Sequence, residues 1–89
     1  MAAPDQPPNR VREDILAAQL EGEAVLLDLT TKRYYRLNET AARVWKGLED
    51  GRSLGEIVDA LVGEFDVERS TAQAETERAL EDFRGRGLI

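Results

Sequence analysis

The apolar positions of this chain fall into short clustered runs up to Leu37 and into helix-period stripes after it. Ala24 to Leu29, "AVLLDL", is a brief apolar run, and Arg33 to Leu37, "RYYRL", is rich in aromatic residues, so both read as strands. Thr30, Thr31 and Lys32 between them predict a three-residue hairpin loop. That register sets Val25 opposite Leu37 and Leu27 opposite Tyr35, giving one apolar face of Val25, Leu27, Tyr35 and Leu37. A two-residue loop would instead pair Leu27 with Arg36 and Asp28 with Tyr35, mixing charge into the core face, so burial selects the longer loop. Lys32 then takes the left-handed position that glycine fills most cheaply, and should be mildly strained. Upstream, Val11 to Gln19 fits either a helical turn or a strand entering a turn at Gly22. A two-stranded hairpin alone is marginal in water, which favours the strand from Ile15 to Gln19.

After Leu37 the period changes. Asn38 is placed to cap a helix whose stripe is Ala41, Val44, Trp45 and Leu48, with Glu39 favourable at its positive end and Asp50-Gly51 closing it. Ser53 and Glu56 form the S-x-x-E capping box of a second helix, striped by Leu54, Ile57, Val58, Leu61, Val62 and Phe65. A third helix from about Glu68 to Arg86 buries Ala72, Thr76, Ala79, Leu80 and Phe83. Gly87 in a left-handed cap would bring Leu88 onto Phe83 in a Schellman contact. The expected fold is therefore α+β, a three-stranded antiparallel sheet followed by three helices. Residues 1 to 10, with three prolines and no periodicity, read as a disordered lead-in to one domain spanning 11 to 89.

Composition narrows the function. The chain has 89 residues, enough for one small core, and it lacks both histidine and cysteine. The commonest general base, the commonest metal ligand and the best nucleophile are thus missing, and its carboxylates are spread along exposed helix positions; an enzyme is not expected. No disulfide can form, no apolar run is long enough to span a membrane, and the N-terminus lacks a signal-peptide core, so a cytoplasmic protein is expected. A net charge of −6 disfavours nucleic acid and anionic lipid as partners and favours basic or apolar segments of other proteins.

Two stretches could carry binding. Strict alternation sends Tyr35 to the core face and Tyr34 outward beside Arg36, Leu26 and Asp28, and a partly apolar outer face suits a partner. Three antiparallel strands also leave open edges, a liability unless used. On the third helix, Glu75, Arg78 and Asp82 beside the buried stripe are either a solvated, ion-paired face or the wall of a groove facing the strand edge. The helix is not basic, which argues against a winged-helix DNA binder.

The stretches "VLLDLTTKRYYRLNETAARVW", "SLGEIVDAL" and the terminal "GRGLI" resemble the PqqD-like family, the RiPP recognition elements, and within it the stand-alone proteins of lasso-peptide clusters. The likeness covers Ile15 to Ile89. Its specific parts are Leu26-Leu27-Asp28, the Tyr34, Tyr35, Leu37, Asn38 run, Ala42 with Trp45, and Gly87-Leu88. Lys32 departs from it where relatives commonly carry glycine, and Glu75-Thr76 where many carry aspartate and an aliphatic residue. The resemblance implies a winged-helix-like domain, without catalysis or cofactor, that binds the leader of a ribosomally made precursor peptide as an added strand. On that basis Arg33, Tyr34, Tyr35, Arg36 and Leu37 would pair with or flank the leader, and Glu75, Arg78, Ala79 and Asp82 would line the helix side. The implied partners are the precursor leader, which a negative surface would suit if it carries lysine, and a leader peptidase of the cysteine-protease type. A macrolactam-forming cyclase is a further candidate. The alternative within the family is a peptide chaperone working with a radical SAM enzyme.

Overall fold

The computed structural model describes residues 11–89; the proposed lead-in of residues 1–10 lies outside them. Three strands, β1 (Ile15–Gln19), β2 (Ala24–Asp28) and β3 (Tyr34–Leu37), form an antiparallel sheet in the order β1-β2-β3. Three helices follow, α1 (Glu39–Glu49), α2 (Leu54–Phe65) and α3 (Arg69–Gly85). The strand expected at Ile15 is present, and it meets β2 through a tight turn in which Leu20 N–H donates to the Glu23 carbonyl at 2.8 Å. Gly22 supplies the positive φ of that turn, 73°.

The helix ends follow the sequence signals. The Asn38 side chain accepts from Ala41 N–H at 2.9 Å. Ser53 and Glu56 exchange both bonds of a capping box, at 3.2 and 2.9 Å. After α3, Gly87 at φ 70° lets Leu88 N–H reach the Phe83 carbonyl at 2.9 Å and Gly87 N–H reach that of Arg84 at 3.0 Å. These are the two bonds of the Schellman motif, and Leu88 is fully buried against the core.

The core lies between one face of the sheet and the helices. Trp45 and Phe83 meet edge to face with centroids 5.2 Å apart, joining α1 to α3. Among the described residues the buried Trp45 Nε1 has no hydrogen-bond partner. At Gly47 α1 packs tightly on α2, since a Cβ there would sit 2.6 Å from Ile57 Cγ1. Ala41, expected in the buried stripe of α1, is only half-buried, and Ala42 takes the core position.

The hairpin register differs from expectation by one residue. Leu37 pairs with Ala24, Tyr35 with Leu26, and Tyr34 with Leu27. The loop is four residues, Leu29 to Lys32, closed by Lys32 N–H on the Asp28 carbonyl and Asp28 N–H on that of Arg33, each at 2.8 Å. Lys32 does adopt the left-handed conformation, φ 65°. The slip turns β2 over: Ala24, Leu26 and Asp28 face the core, while Val25 and Leu27 lie half-exposed on the outer face.

A buried aspartate is tolerated because its oxygens are satisfied. Asp28 Oδ1 accepts from the amides of Thr30 and Thr31 at 2.9 and 3.2 Å, and Arg12 reaches both oxygens at 3.1 and 3.3 Å. Hydrogen bonding offsets the cost of burying its charge on the core face.

Candidate functional site

The edge of β3 follows from the ladder. Opposed residues in an antiparallel pair alternate between hydrogen-bonded and non-hydrogen-bonded pairs. Asp28 N–H bonds the Arg33 carbonyl, so Tyr35–Leu26 and Leu37–Ala24 are the next bonded pairs. The N–H and C=O groups of Tyr34 and Arg36 therefore point away from β2, toward the free edge. Both side chains lie on the outer face, Tyr34 with 74% of its surface exposed and Arg36 paired with Glu23 at 3.1 Å.

Beside this edge a groove of about 250 Å³ runs between the start of α1 and the face of α3. Asn38, Thr40 and Ala41 line one side, and Glu75, Arg78, Ala79 and Asp82 the other. The four α3 residues singled out in the sequence thus share one wall. The α1 wall was missed, because helix period does not reveal which neighbour a residue faces; its available signal was that Asn38 to Ala41 continue directly from the candidate strand. The rim is charged and internally paired: Arg78 contacts Glu75 at 3.3 Å and Arg86 contacts Asp82 at 3.2 Å. The floor includes the small side chains of Ala41 and Ala79. Thr40 and Glu75 also border a smaller, largely apolar recess formed with Leu61, Phe65, Val67, Thr71 and Ala72.

The strand residues of the candidate site divide by geometry. Tyr34 and Arg36 offer exposed side chains and backbone groups that no strand among the described residues pairs. Leu37 is buried in the core, and Tyr35 is half-buried with the Arg86 guanidinium 5.2 Å from its ring centroid. Arg33 is exposed at the hairpin end, where its carbonyl closes the loop.

At the far end of the hairpin an ion cluster fixes local charge. Hydrogen bonds from Arg12 and then from the Thr30 hydroxyl hold the Asp14 carboxyl down to about 2. Burial pushes Asp28 upward, but the amides of Thr31 and Thr30 and the Arg12 side chain outweigh it, leaving the group below the ordinary carboxylate range. Among the described residues no helix is long and apolar enough to cross a membrane.

An edge strand flanking a groove gains meaning from relatives of the same shape. Residues 23–89 match the family model of coenzyme PQQ synthesis protein D, PqqD. The chain belongs to the PqqD family. Two solved structures share the fold of this PqqD-family chain. One is TbiB1 in complex with the TbiA(beta) leader peptide, 31% identical, with a TM-score of 0.82 over 90% of this chain and 93% of that one. The other is a lasso peptide synthetase B1 complexed with its leader peptide, 33% identical, with a TM-score of 0.78 over 89% and 93%. No curated protein matches significantly.

Proposed function

We propose that this PqqD-family protein binds the leader segment of a ribosomally made precursor peptide, of the lasso type, as a fourth strand on the edge of β3. The observation that carries the reading is the free edge at Tyr34 and Arg36 lying beside the Ala41–Ala79 groove, in a fold shared with two proteins solved with leader peptides. In strand addition the main chain supplies affinity and alternate side chains supply selectivity. Leader residues facing outward would flank Tyr34 and Arg36, and those facing inward would enter the groove over Ala79, between Glu75, Arg78 and Asp82. Ordering a flexible leader costs on the order of 2 to 5 kcal/mol, so the groove contacts must exceed that.

The protein acts without catalysis or cofactor, in the cytoplasm, presenting the precursor to a separate cysteine-type leader peptidase and, in turn, to a macrolactam-forming cyclase. Titrating a fluorescently labelled leader from the precursor encoded beside its gene tests the reading. Saturable binding is expected, and its absence up to roughly 100 µM, about −5.5 kcal/mol, would sink the proposal. The match to the PQQ synthesis model keeps a second reading, a peptide chaperone serving a radical SAM enzyme. Pull-down of a radical SAM enzyme rather than a peptidase would favour it.

A further inference from the structure

The groove lies between the start of α1, which continues directly from β3, and α3, so its width depends on how the β3–α1 segment is held against α3. At one point Arg86, near the end of α3, lies over Tyr35 of β3. Beyond that point stands Arg12, which precedes β1 and belongs to neither side. Its guanidinium carries five N–H donors in a rigid fork, and all five are used. Nε donates to Asp14 Oδ1 at 3.0 Å and Nη2 to Asp14 Oδ2 at 2.5 Å. Nη2 also reaches Asp28 Oδ1 at 3.3 Å, and Nη1 reaches Asp28 Oδ2 at 3.1 Å. The remaining donor, on Nη1, bonds the Gly87 carbonyl at 2.8 Å.

These partners are not neighbours. Asp28 sits at the base of the β2–β3 loop and orders it through the Thr30 and Thr31 amides, so it sets where β3 begins. Gly87 is the left-handed residue that ends α3. Asp14, which also accepts from the Thr30 hydroxyl, steers the fork from the side. One planar group thus spans from the root of the edge strand to the end of the facing helix.

We propose that Arg12 is a positioning residue, pinning the β3 hairpin to the C-terminal end of α3 and so fixing the groove width before a peptide arrives. The consequence for binding rests on the leader-binding reading above; the pinning itself does not. A lysine could hold Asp28 or Gly87 but lacks the fork to hold both together with Asp14.

Pulsed electron paramagnetic resonance on the full chain tests this. The sequence has no cysteine, so spin labels at Lys32→Cys and Glu81→Cys report the hairpin-to-α3 distance without further changes. Both sites lie outside the proposed contacts. With Arg12 intact and no peptide, a narrow distribution is expected, and Arg12→Gln should broaden it. Leader affinity should fall on the order of tenfold if only about a tenth of folded molecules keep the competent width, and saturating leader should narrow the distribution again. Arg12→Lys, which keeps a charge beside Asp28, is measured in parallel and stands in if Arg12→Gln does not fold by circular dichroism. A folded variant with the parent's distribution overturns the pin, and a broadened distribution with undiminished affinity overturns its role in preparing the groove for a peptide. If the parent itself binds no leader, the leader-binding reading fails, while the peptide-free distributions still decide whether Arg12 pins the hairpin to α3.

Discussion

Proline scanning of β3 separates the edge from the ladder, since neighbouring residues there have opposite duties. Arg36 N–H points to the free edge, so Arg36→Pro removes no bond to β2, and proline is tolerated on edge strands with that orientation. Tyr35 N–H belongs to a bonded pair with Leu26, so Tyr35→Pro deletes a ladder bond and disturbs the side chain under Arg86. An added strand that bonds the Arg36 amide loses that bond, about 0.5–1.5 kcal/mol net, and must also avoid the pyrrolidine ring. The sum should reach at least about 1.4 kcal/mol, or tenfold in Kd. For Tyr35→Pro the loss falls on folding and is a sizeable share of the roughly 5–15 kcal/mol that holds a domain together. Urea denaturation followed by circular dichroism gives stability, and anisotropy with labelled leader gives affinity. Arg36→Pro should keep most of its stability and lose binding, whereas Tyr35→Pro should lose stability first. Unchanged affinity in a folded Arg36→Pro protein would refute strand addition at this edge, and the reverse pattern would refute the bonding parity.

The remaining expectations concern the frame. Gly47→Ala drives a Cβ into the Ile57 side chain where α1 meets α2, and overpacking of this kind should cost about 1–3 kcal/mol, read as a lowered thermal midpoint. Leu88→Ala empties a fully buried site beyond the Schellman turn and should cost about 2–5 kcal/mol by urea denaturation. Asp14, held near 2 against an ordinary 3.8, contributes stability that is fully present above the ordinary value and is lost as pH falls toward 2. The urea midpoint should therefore decline across that window, and Asp14→Asn should flatten the decline.

How far the sequence foretold this protein depended on whether the deciding interactions were local. Asn38, the Ser53–Glu56 box and Gly87 act within a few residues of themselves, and each appears where its spacing predicts. The stripe of α3 was equally legible, down to the buried Thr76, whose hydroxyl donates to the Ala72 carbonyl at 2.8 Å. The hairpin register was not, because it turns on Asp28. From the sequence a carboxylate on the core face reads as an error, and its redress comes from two backbone amides and an arginine sixteen residues upstream. Arg12 itself lay in a segment with no clear period. The groove shows the same divide, with its α3 wall visible in helix spacing and its α1 wall set by helix packing that no single-element pattern contains.

The lone tryptophan has an optical consequence. Trp45 is fully buried, edge-on to Phe83 at the junction of α1 and α3, with no partner for its indole N–H among the described residues. Its emission should be that of an indole in a dry, apolar setting, and it reports on the packing of α1 against α3, the two helices that wall the groove. If peptide capture leaves the spectrum still, the groove receives its occupant as a finished mould; if the band moves, the helices have shifted to make room.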